Sequence, residues 1–357
     1  MNVDPSTGPA ALQHLVQGED LGPEEAREVA EGLLTGAFPP EVVASLLTAL
    51  AAKGESPEEL YAFSSTLRAR ARPFPGPAEA GAVDLCGTGG AKTPTFNIST
   101  VSAFVLAGAG VPVAKHGNVS ARRPCGSSDV LSALGLPVLR SVAFAEASWR
   151  KERLCFLHAP LFHAATRSVA PVRKALGLRT IFNQLGPLTN PAGVSTQLVG
   201  CFSREYARRV TPVLHRLGVH RSLAVHGKGG MDELSSKGTD WLLRSVEASG
   251  EGGGATEVSI DPSTLLSPEE RRGDLRPRSP GEAAELTRAV LSGEGDGAVR
   301  GAVLLTAGAA IWLHGSAPEL PSGVALARSA LQDGRALDKL QKLQALARSQ
   351  DWPEGSP

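Results

Sequence analysis

One short segment, Pro73–Pro77 (PFPGP), constrains the fold more than any other part of this 357-residue chain. Three prolines and a glycine within five residues can continue neither a helix nor a strand, so we place a domain boundary there. Before this segment apolar residues recur at helical spacing, whereas after it short apolar runs bounded by glycine alternate with helical stretches. The sequence therefore predicts an all-helical domain over residues 1–74 and a larger α/β domain with a largely parallel central sheet over residues 80–357.

Hydrophobic periodicity places the individual elements. Helices of the first domain are expected at Ala10–Val16, Ala26–Leu34, Val42–Leu50 and Leu60–Leu67. Strands of the second domain are expected at Val83–Cys86, Val111–Ala114, Leu154–Leu157, Leu198–Phe202 and Ser222–Val225. We also predict a buried helix at Gly301–Leu313 and a flexible surface loop at Glu247–Ala255 (EASGEGGGA).

Charge and cysteine content limit the classes of partner. The 36 basic and 36 acidic residues give a net charge of zero, so no global field points to a nucleic acid or a membrane. Residues 115–180 are locally basic, which suits a small anionic ligand but also an ordinary solvated face. The four cysteines show no CxxC or Cys/His spacing, and no signal-peptide pattern opens the sequence. We therefore expect a soluble, cytoplasmic protein without a zinc site, a disulfide framework, a nucleic-acid partner or a membrane partner.

The strongest local signal is a glycine-rich turn, Asp84–Gly90 (DLCGTGG), followed by Thr95–Thr100 (TFNIST). A strand ends in this turn and a helix is expected to begin near Ser99 or Thr100. Backbone N–H groups of a glycine-rich turn can approach phosphate oxygens closely, and a helix N-terminus adds favourable partial charge. The spacing fits neither a dinucleotide-binding nor a Walker-type loop. A tight strand–helix turn without a ligand is the alternative.

Two further polar segments are expected at the same edge of the sheet. Lys115–Asn118 (KHGN) follows a predicted strand, and ligands of open α/β sheets bind outside the carboxyl ends of strands. Lys115 can pair with phosphate there, and Asn118 can bond a polar substrate. Gly126–Asp129 (GSSD) has the composition of a helix N-cap, which can also bind phosphate.

Arginine and carboxylate candidates lie further along the chain. Arg173 precedes a rigid segment, Arg179–Pro191 (RTIFNQLGPLTNP), and its planar fork could bind a substrate carboxylate. Asp232 and Glu233 follow a predicted strand, and adjacent carboxylates suit Mg²⁺ shared with substrate phosphates. An exposed arginine and a solvated acidic pair are the respective alternatives.

Taken in order, these motifs resemble the anthranilate phosphoribosyltransferases of tryptophan biosynthesis. The matching segments are GTGGA, FNIST, KHGN, CGSSD, VRKALGLRTIFNQLGPLTNP and HGKGGMDE, and the helical opening with SLLTALAAKGESPEEL is also similar to that family. The resemblance covers nearly the whole chain. It implies transfer of the phosphoribosyl group of 5-phosphoribosyl 1-pyrophosphate to the amine of anthranilate, with Mg²⁺ as cofactor, in a homodimer whose active site lies between the two domains. It also implies that a segment near 163–183 returns to the helical domain.

The resemblance also implies roles for individual residues. Those expected to bind phosphoribosyl pyrophosphate are Gly87, Thr88, Gly89, Gly90, Thr95, Asn97, Ser99, Thr100, Lys115 and Ser127. Those expected to bind anthranilate are Gly87, His116, Asn118, His163, Arg173 and Pro187, with Arg173 facing the carboxylate. Ser99, Asp232 and Glu233 are expected to hold Mg²⁺, and no covalent intermediate is implied.

The chain departs from the family pattern beside both substrates. Ala91 stands where the family has aspartate, and Val119 stands where it usually has arginine. Arg122-Arg123-Pro124 replaces small residues followed by a basic one. Two other functions remain open at this stage: a phosphoribosyltransferase or nucleoside phosphorylase relative with another acceptor, and a non-enzymatic nucleic-acid-binding relative. The LGPLTNP segment argues against the first, and the balanced charge argues against the second.

Overall fold

Four helices form the N-terminal part of the computed structural model, which describes residues 3–88, 93, 95–119, 124–246, 254–349 and 352. The helices are α1 (Thr7–Val16), α2 (Pro23–Thr35), α3 (Pro40–Lys53) and α4 (Pro57–Ala69). Proline opens α2, α3 and α4, where its missing N–H costs nothing. Ser56 and Glu59 form a capping box at the start of α4, and Gly36 ends α2 in a left-handed conformation. The predicted helical opening is confirmed.

A seven-stranded sheet forms the centre of the second domain. The strands are β1 (Val83–Gly87), β2 (Val113–Gly117), β3 (Leu154–His158), β4 (Thr196–Gly200), β5 (Arg221–His226), β6 (Asp240–Val246) and β7 (Gly254–Ile260). Their spatial order is β3-β2-β1-β4-β5-β6-β7. The first five strands run parallel, whereas β6 and β7 join antiparallel. The predicted α/β fold with a largely parallel sheet is confirmed.

Further helices follow the N-terminal four, and most of them pack on the two faces of the sheet. They are α5 (Ile98–Gly108), α6 (Ser127–Ala133), α7 (Val142–Glu152), α8 (Ala159–Phe162), α9 (Ala170–Leu176), α10 (Arg204–Arg216), α11 (Pro280–Leu291), α12 (Gly297–His314), α13 (Leu320–Gln332) and α14 (Arg335–Ser349). One core joins α5, α6 and α11–α14 to one face of β1, β4 and β5. A second core joins α10 and the four N-terminal helices to the other face. The sheet is therefore buried on both faces, as parallel sheets usually are.

The long apolar helix α12 belongs to the first of these cores. Within the described residues it is the one helix long and apolar enough to cross a membrane by length and composition. However, 78% of its 18-residue apolar window is buried inside the protein. Its apolar character is thus accounted for by packing against the sheet and α5, and the predicted buried helix at Gly301–Leu313 lies within it.

The segment between β3 and β4 packs against the N-terminal helices. Val169 and Ile181 are buried in the same core as α2–α4. The Ser168 hydroxyl donates to the Leu33 carbonyl at 2.7 Å, and the Phe182 and Phe63 rings meet edge to face with centroids 6.3 Å apart. This segment therefore packs on the helical domain although it lies between two strands of the second domain.

Some predicted boundaries differ from the structure. β2 begins at Val113 rather than Val111, and β4 spans Thr196–Gly200 rather than Leu198–Phe202. The predicted loop Glu247–Ala255 is wrong at its last two residues, which begin β7, and residues 247–253 lie outside the described residues. β6 and β7 were not predicted from the sequence. The exposed polar surface of β7 conceals its pattern, because an edge strand need not bury apolar residues on both faces.

Candidate active site

The strand order of the sheet reverses at β1, because successive strands are placed first on one side of β1 and then on the other. The chain passes from β1 to β2 and β3 on one side, then crosses to β4 on the other. In open α/β sheets, the crevice at such a reversal, outside the carboxyl ends of the strands, is where ligands bind. Here these ends are Gly87 of β1 and Gly200 of β4. The two strand ends are joined by a hydrogen bond, because the backbone amide of Thr88, the residue after Gly87, donates to the Gly200 carbonyl at 2.9 Å.

Glycine at three strand ends lets the loop after β5 lie directly on the sheet edge. A Cβ on Gly200 would lie 1.8 Å from the Asp232 carbonyl oxygen, and one on Gly227 would lie 2.0 Å from the Glu233 carbonyl oxygen. A Cβ on Gly87 would lie 3.3 Å from Asp232 Oδ2. The absence of these side chains therefore brings both carboxylate residues to the reversal point.

The Asp232–Glu233 pair is buried there. Burial, followed by the neighbouring Asp232 charge, raises the pKa of Glu233 to about 7 against the opposing effects of Lys115 and Ser99. The Ser99 amide at the start of α5 donates to Glu233 Oε1 at 3.3 Å. The site thus concentrates negative charge in a poorly solvated place, which favours either a proton or a cation.

Asp240 holds the two ends of the carboxylate loop. Its Oδ1 accepts from the Lys228 amide at 2.8 Å, and its Oδ2 accepts from the Ser235 amide at 2.7 Å. Since one buried carboxyl group at the start of β6 binds both ends, the loop between them has a fixed entry and exit. Burial raises the pKa of Asp240 to about 7.

Hydroxyl groups collect on the side of the crevice formed by the end of β1 and the start of α5. The side-chain oxygens of Thr88, Thr95 and Thr100 are buried and, within the described part of the chain, have no hydrogen-bond partner. Asn97 precedes α5, and its Nδ2 donates to the Cys125 carbonyl at 3.4 Å. Buried hydroxyls without partners are costly, so this side has unused capacity for a polar ligand. The predicted Gly89 and Gly90, and the departure Ala91, lie outside the described residues.

The KHGN segment lies inside and just after β2. Lys115 is buried, and its ammonium donates to the Leu85 carbonyl and to the His116 carbonyl. Asn118 and Ser127 contact each other, because the Asn118 amide donates to the Ser127 hydroxyl at 3.1 Å. The two predicted phosphate-binding segments therefore meet at the end of β2. Arg122 and Arg123 lie outside the described residues.

Two histidines and the Gly186–Pro187 turn line a third side. The His116 and His163 rings meet edge to face with centroids 5.2 Å apart. Burial lowers the pKa of His116 to about 3 and that of His163 to about 4, so both rings are neutral at physiological pH. Arg173 lies on α9 with its guanidinium carbon 5.2 Å from the centre of the Phe182 ring. Burial lowers the pKa of Arg173, which nevertheless stays charged.

Three buried polar residues at this site were not selected from the sequence. Asp84 and Gln197 lie on the central strands β1 and β4, and Asp240 begins β6. The detectable signal for Asp84 and Gln197 is a polar residue beside an apolar run in a strand that must be buried on both faces. Asp240 gave no such signal, because β6 itself was missed.

Comparisons with known proteins agree with this geometry. Residues 79–337 match the "Glycosyl transferase family, a/b domain", and residues 9–71 match that family's helical bundle domain. The anthranilate phosphoribosyltransferase of Rubrobacter xylanophilus is 43% identical over 345 residues, which cover 95% of this chain and 97% of that protein. That of Shouchella clausii is 41% identical over 337 residues, which cover 94% and 97%. This chain belongs to the anthranilate phosphoribosyltransferase family.

Solved anthranilate phosphoribosyltransferases share the fold. The crystal structure of the Thermus thermophilus enzyme superposes with a TM-score of 0.84 at 39% identity and covers 95% of this chain and 99% of its own. The Saccharomyces cerevisiae enzyme, solved in complex with PRPP and Mg, superposes with a TM-score of 0.83 at 23% identity and covers 98% and 100%. The family's two-domain architecture thus extends along nearly the whole of this chain.

Proposed function

We propose that this protein transfers the phosphoribosyl group of 5-phosphoribosyl 1-pyrophosphate to the amine of anthranilate, giving N-(5-phosphoribosyl)anthranilate and pyrophosphate. The observation that carries the proposal is the crevice at the reversal point of the sheet. A buried carboxylate pair, a set of buried hydroxyls and a neutral histidine pair surround it. The membership of an anthranilate phosphoribosyltransferase family identifies which substrates such a crevice would take.

The donor is proposed to lie between the glycine-rich turn after β1 and the KHGN and GSSD segments at the end of β2. Gly87–Gly90 and Lys115 would hold the phosphates through backbone amides and an ammonium group. Thr95, Asn97, Ser99, Thr100 and Ser127 would supply hydroxyl and amide bonds. This assignment gives the buried threonine hydroxyls the partners they lack among the described residues.

The residues around Asp232 fit a magnesium ion. Two adjacent carboxylates are hard oxygen ligands, and burial together with their mutual repulsion disfavours leaving both charges uncompensated. Among the residues that the structure describes, no cluster of three or more His, Cys, Asp or Glu side chains forms a complete metal site. The protein would thus supply only part of the ligands of the ion. Asp232, Glu233 and Ser99 would therefore share Mg²⁺ with substrate phosphates and water. When bound, the ion would supply charge stabilisation on the leaving pyrophosphate.

The acceptor is proposed to enter beside the histidine pair. Gly87, Asn118, His116, His163 and Pro187 would line its path, and the Arg173 fork would bind its carboxylate through two hydrogen bonds. Within the part of the chain that the structure describes, no carboxylate forms an ion pair with Arg173, so its charge remains available for a ligand.

Catalysis would then rest on positioning and electrostatics. The acceptor nitrogen attacks the anomeric carbon, the carbon–oxygen bond to pyrophosphate breaks as the carbon–nitrogen bond forms, and the nitrogen releases a proton. Lys115 and the amides of the glycine turn would stabilise the charge that develops on the leaving group. The fixed geometry of the crevice would hold the two substrates in attacking orientation, so no covalent enzyme intermediate is needed.

A turnover assay of the unmodified protein tests this function. Consumption of phosphoribosyl pyrophosphate that requires both Mg²⁺ and anthranilate is the expected result. No consumption with anthranilate, but consumption with another amine or with phosphate and a nucleoside, would move the chain to the alternative acceptor class. Salt-sensitive retention on heparin without turnover would instead favour the nucleic-acid-binding alternative.

We also propose that the enzyme is a cytoplasmic homodimer associating through its helical domain. The described cysteines are all unpaired and buried, which suits a reducing compartment. Val16 at the end of α1 is 74% exposed, which suits a covered surface. Light scattering should give twice the chain mass of 37.0 kDa, and a monomer would contradict the proposal.

A further inference from the structure

A network of buried hydrogen bonds holds the Gly186–Pro187 turn against β4 and β2, the two strands that flank β1. Gln197 Nε2 on β4 donates to the Pro187 carbonyl at 2.6 Å and to Asp84 Oδ2 at 3.1 Å. The other Asp84 oxygen accepts from the His116 amide on β2 at 3.0 Å. Because a side-chain amide has two N–H hydrogens, Gln197 uses one on each acceptor, and Asp84 joins the two halves of the network.

The orientation of the Gln197 amide follows from its surroundings. A flipped amide would place Oε1 against two acceptors, the Pro187 carbonyl and the Asp84 carboxyl group, and both bonds would be lost. Gln197 Oε1 is itself buried and has no partner among the described residues. The hydrogen bond to the Pro187 carbonyl is therefore made at the cost of one buried oxygen without a partner. This indicates that the position of the Gly186–Pro187 turn is important for the site.

The same turn determines the tautomer of His116. Its Nδ1 lies 2.9 Å from the Gly186 carbonyl oxygen, and since a carbonyl can only accept, Nδ1 must carry the proton. Nε2 is therefore the bare nitrogen. It is buried and has no hydrogen-bond partner within the described residues, and its ring meets that of His163 edge to face. If the turn shifted, His116 Nδ1 would lose the acceptor that keeps it protonated, and the Pro187 ring would move as well.

We propose that Gln197, acting with Asp84, is a positioning residue for the acceptor, an inference that rests on the function proposed above. Neither side chain is proposed to touch the substrate. Gln197 acts through Pro187, and Asp84 acts through Gln197 and the His116 backbone. Together they hold the Pro187 ring and the Nε2 lone pair in the geometry that receives the acceptor. The two hydrogen bonds of the Gln197 amide go to Pro187 and Asp84 and not to a group proposed to bind the donor, whereas the Asp84 carboxylate also interacts electrostatically with Lys115.

Gln197→Met removes both donors and keeps the length of the side chain. We expect KM for anthranilate to rise about tenfold, the scale of one buried hydrogen bond, and KM for phosphoribosyl pyrophosphate to change less than about twofold. Gln344→Met is the matched control. Gln344 lies on α14, away from the crevice, and its Nε2 donates to the Leu134 carbonyl at 2.7 Å. Loss of this hydrogen bond should leave both KM values unchanged.

Asp84→Asn is the second variant, and it changes one atom without changing volume. The amide group that it introduces would face Gln197, force the glutamine to flip and so break the bond to the Pro187 carbonyl. We therefore expect the same rise in KM for anthranilate. This second variant keeps the inference open to refutation even if Gln197→Met fails to fold.

Nitrogen-15 NMR of histidine-labelled protein gives a readout that a purely structural role would not move. The unmodified protein should show His116 protonated at Nδ1 and bare at Nε2, whereas Gln197→Met and Asp84→Asn should show mixed tautomers. Equal rises in both KM values for Gln197→Met, or an unchanged His116 tautomer in both variants, would overturn the inference. This readout needs no substrate. If the unmodified protein did not use anthranilate, the proposed function would fail while the tautomer still decided the role of Gln197.

Discussion

Replacing Gly200 by alanine should displace the loop that carries Asp232. The new Cβ would lie 1.8 Å from the Asp232 carbonyl oxygen and 2.9 Å from its carbonyl carbon. Real Cβ atoms essentially never approach a heavy atom within 3.0 Å, and the obstructing atoms belong to the backbone, which cannot rotate away. The loop must therefore retreat from the end of β4, and Asp232 and Glu233 must move with it.

The size of the effect follows from these distances. The carbonyl must retreat by about 1.2 Å, the difference between 3.0 and 1.8 Å. A misplacement of about 1 Å in a preorganised site costs roughly a hundredfold in rate, so kcat/KM should fall by about that factor. Overpacking should lower the free energy of unfolding by about 1–3 kcal/mol. Gly227→Ala should behave similarly, because its Cβ would lie 2.0 Å from the Glu233 carbonyl oxygen.

The assay compares these variants with Gly281→Ala. Among the described residues, no atom outside the neighbouring turn of its own helix lies within 4 Å of a Cβ built on Gly281 at the start of α11, so that variant should keep wild-type kcat/KM. Initial rates should be measured well below each variant's melting temperature, over a range of Mg²⁺ concentrations, with circular dichroism to verify folding. A folded Gly200→Ala enzyme within about threefold of wild-type kcat/KM would refute the close approach of the loop to the strand end.

Three further predictions concern side chains proposed to bind magnesium or the acceptor. Replacing both Asp232 and Glu233 by alanine should lower turnover by about a thousandfold or more, since it removes two oxygen ligands, and near wild-type turnover would contradict the metal assignment. Arg173→Ala should raise KM for anthranilate by roughly ten- to a hundredfold, the scale of about 1.5–3 kcal/mol, with KM for phosphoribosyl pyrophosphate as the internal control. Arg173→Lys should not restore it, because lysine lacks the planar fork, and equal rates with acceptors lacking a carboxylate would exclude the role. Burial lowers the pKa of His163 from 6.5 to about 4, so the unfolded chain binds more protons than the native one between these values. The His163 contribution to stability is thus present above pH 6.5 and is lost as pH falls towards 4, by about 1.4 kcal/mol per pH unit. His163→Gln should reduce the slope of the free energy of unfolding against pH, measured by urea denaturation at pH 7, 6 and 5, while His116 keeps its own contribution. An unchanged slope would mean that the His163 ring is not held neutral.

Local patterns predicted much of the fold. The helical opening follows from apolar spacing and from proline at the first turns of α2–α4, and both are properties of neighbouring residues. The five parallel strands follow from short apolar runs because both faces of each are buried. β7 could not be found in this way, since most of its residues are exposed. Its place depends on pairing with β6, which is a contact across the sheet.

The site residues likewise fall into those that local sequence predicts and those that depend on contacts distant in the chain. The glycine-rich turn, the KHGN segment and the Asp232–Glu233 pair are contiguous in the sequence, so their composition alone identified them as candidates. Gly200, Gln197 and Asp240 are single residues whose importance lies in what faces them. Gly200 matters because the Asp232 backbone lies on it, and Gln197 matters because Pro187 and Asp84 both accept from its amide.

The order of residues along the chain thus specified the two domains, the main helices and strands, and the chemical character of the motifs, because each depends on spacing within a few residues. Only the folded sheet decided that β1 and β4 are neighbours, and hence that Gly87, Gly200 and the Asp232 loop meet at one point. It also decided the tautomer of His116, which depends on a carbonyl seventy positions away in the chain. Strand register and the orientation of buried polar groups are set by long-range packing, and no local pattern encodes them.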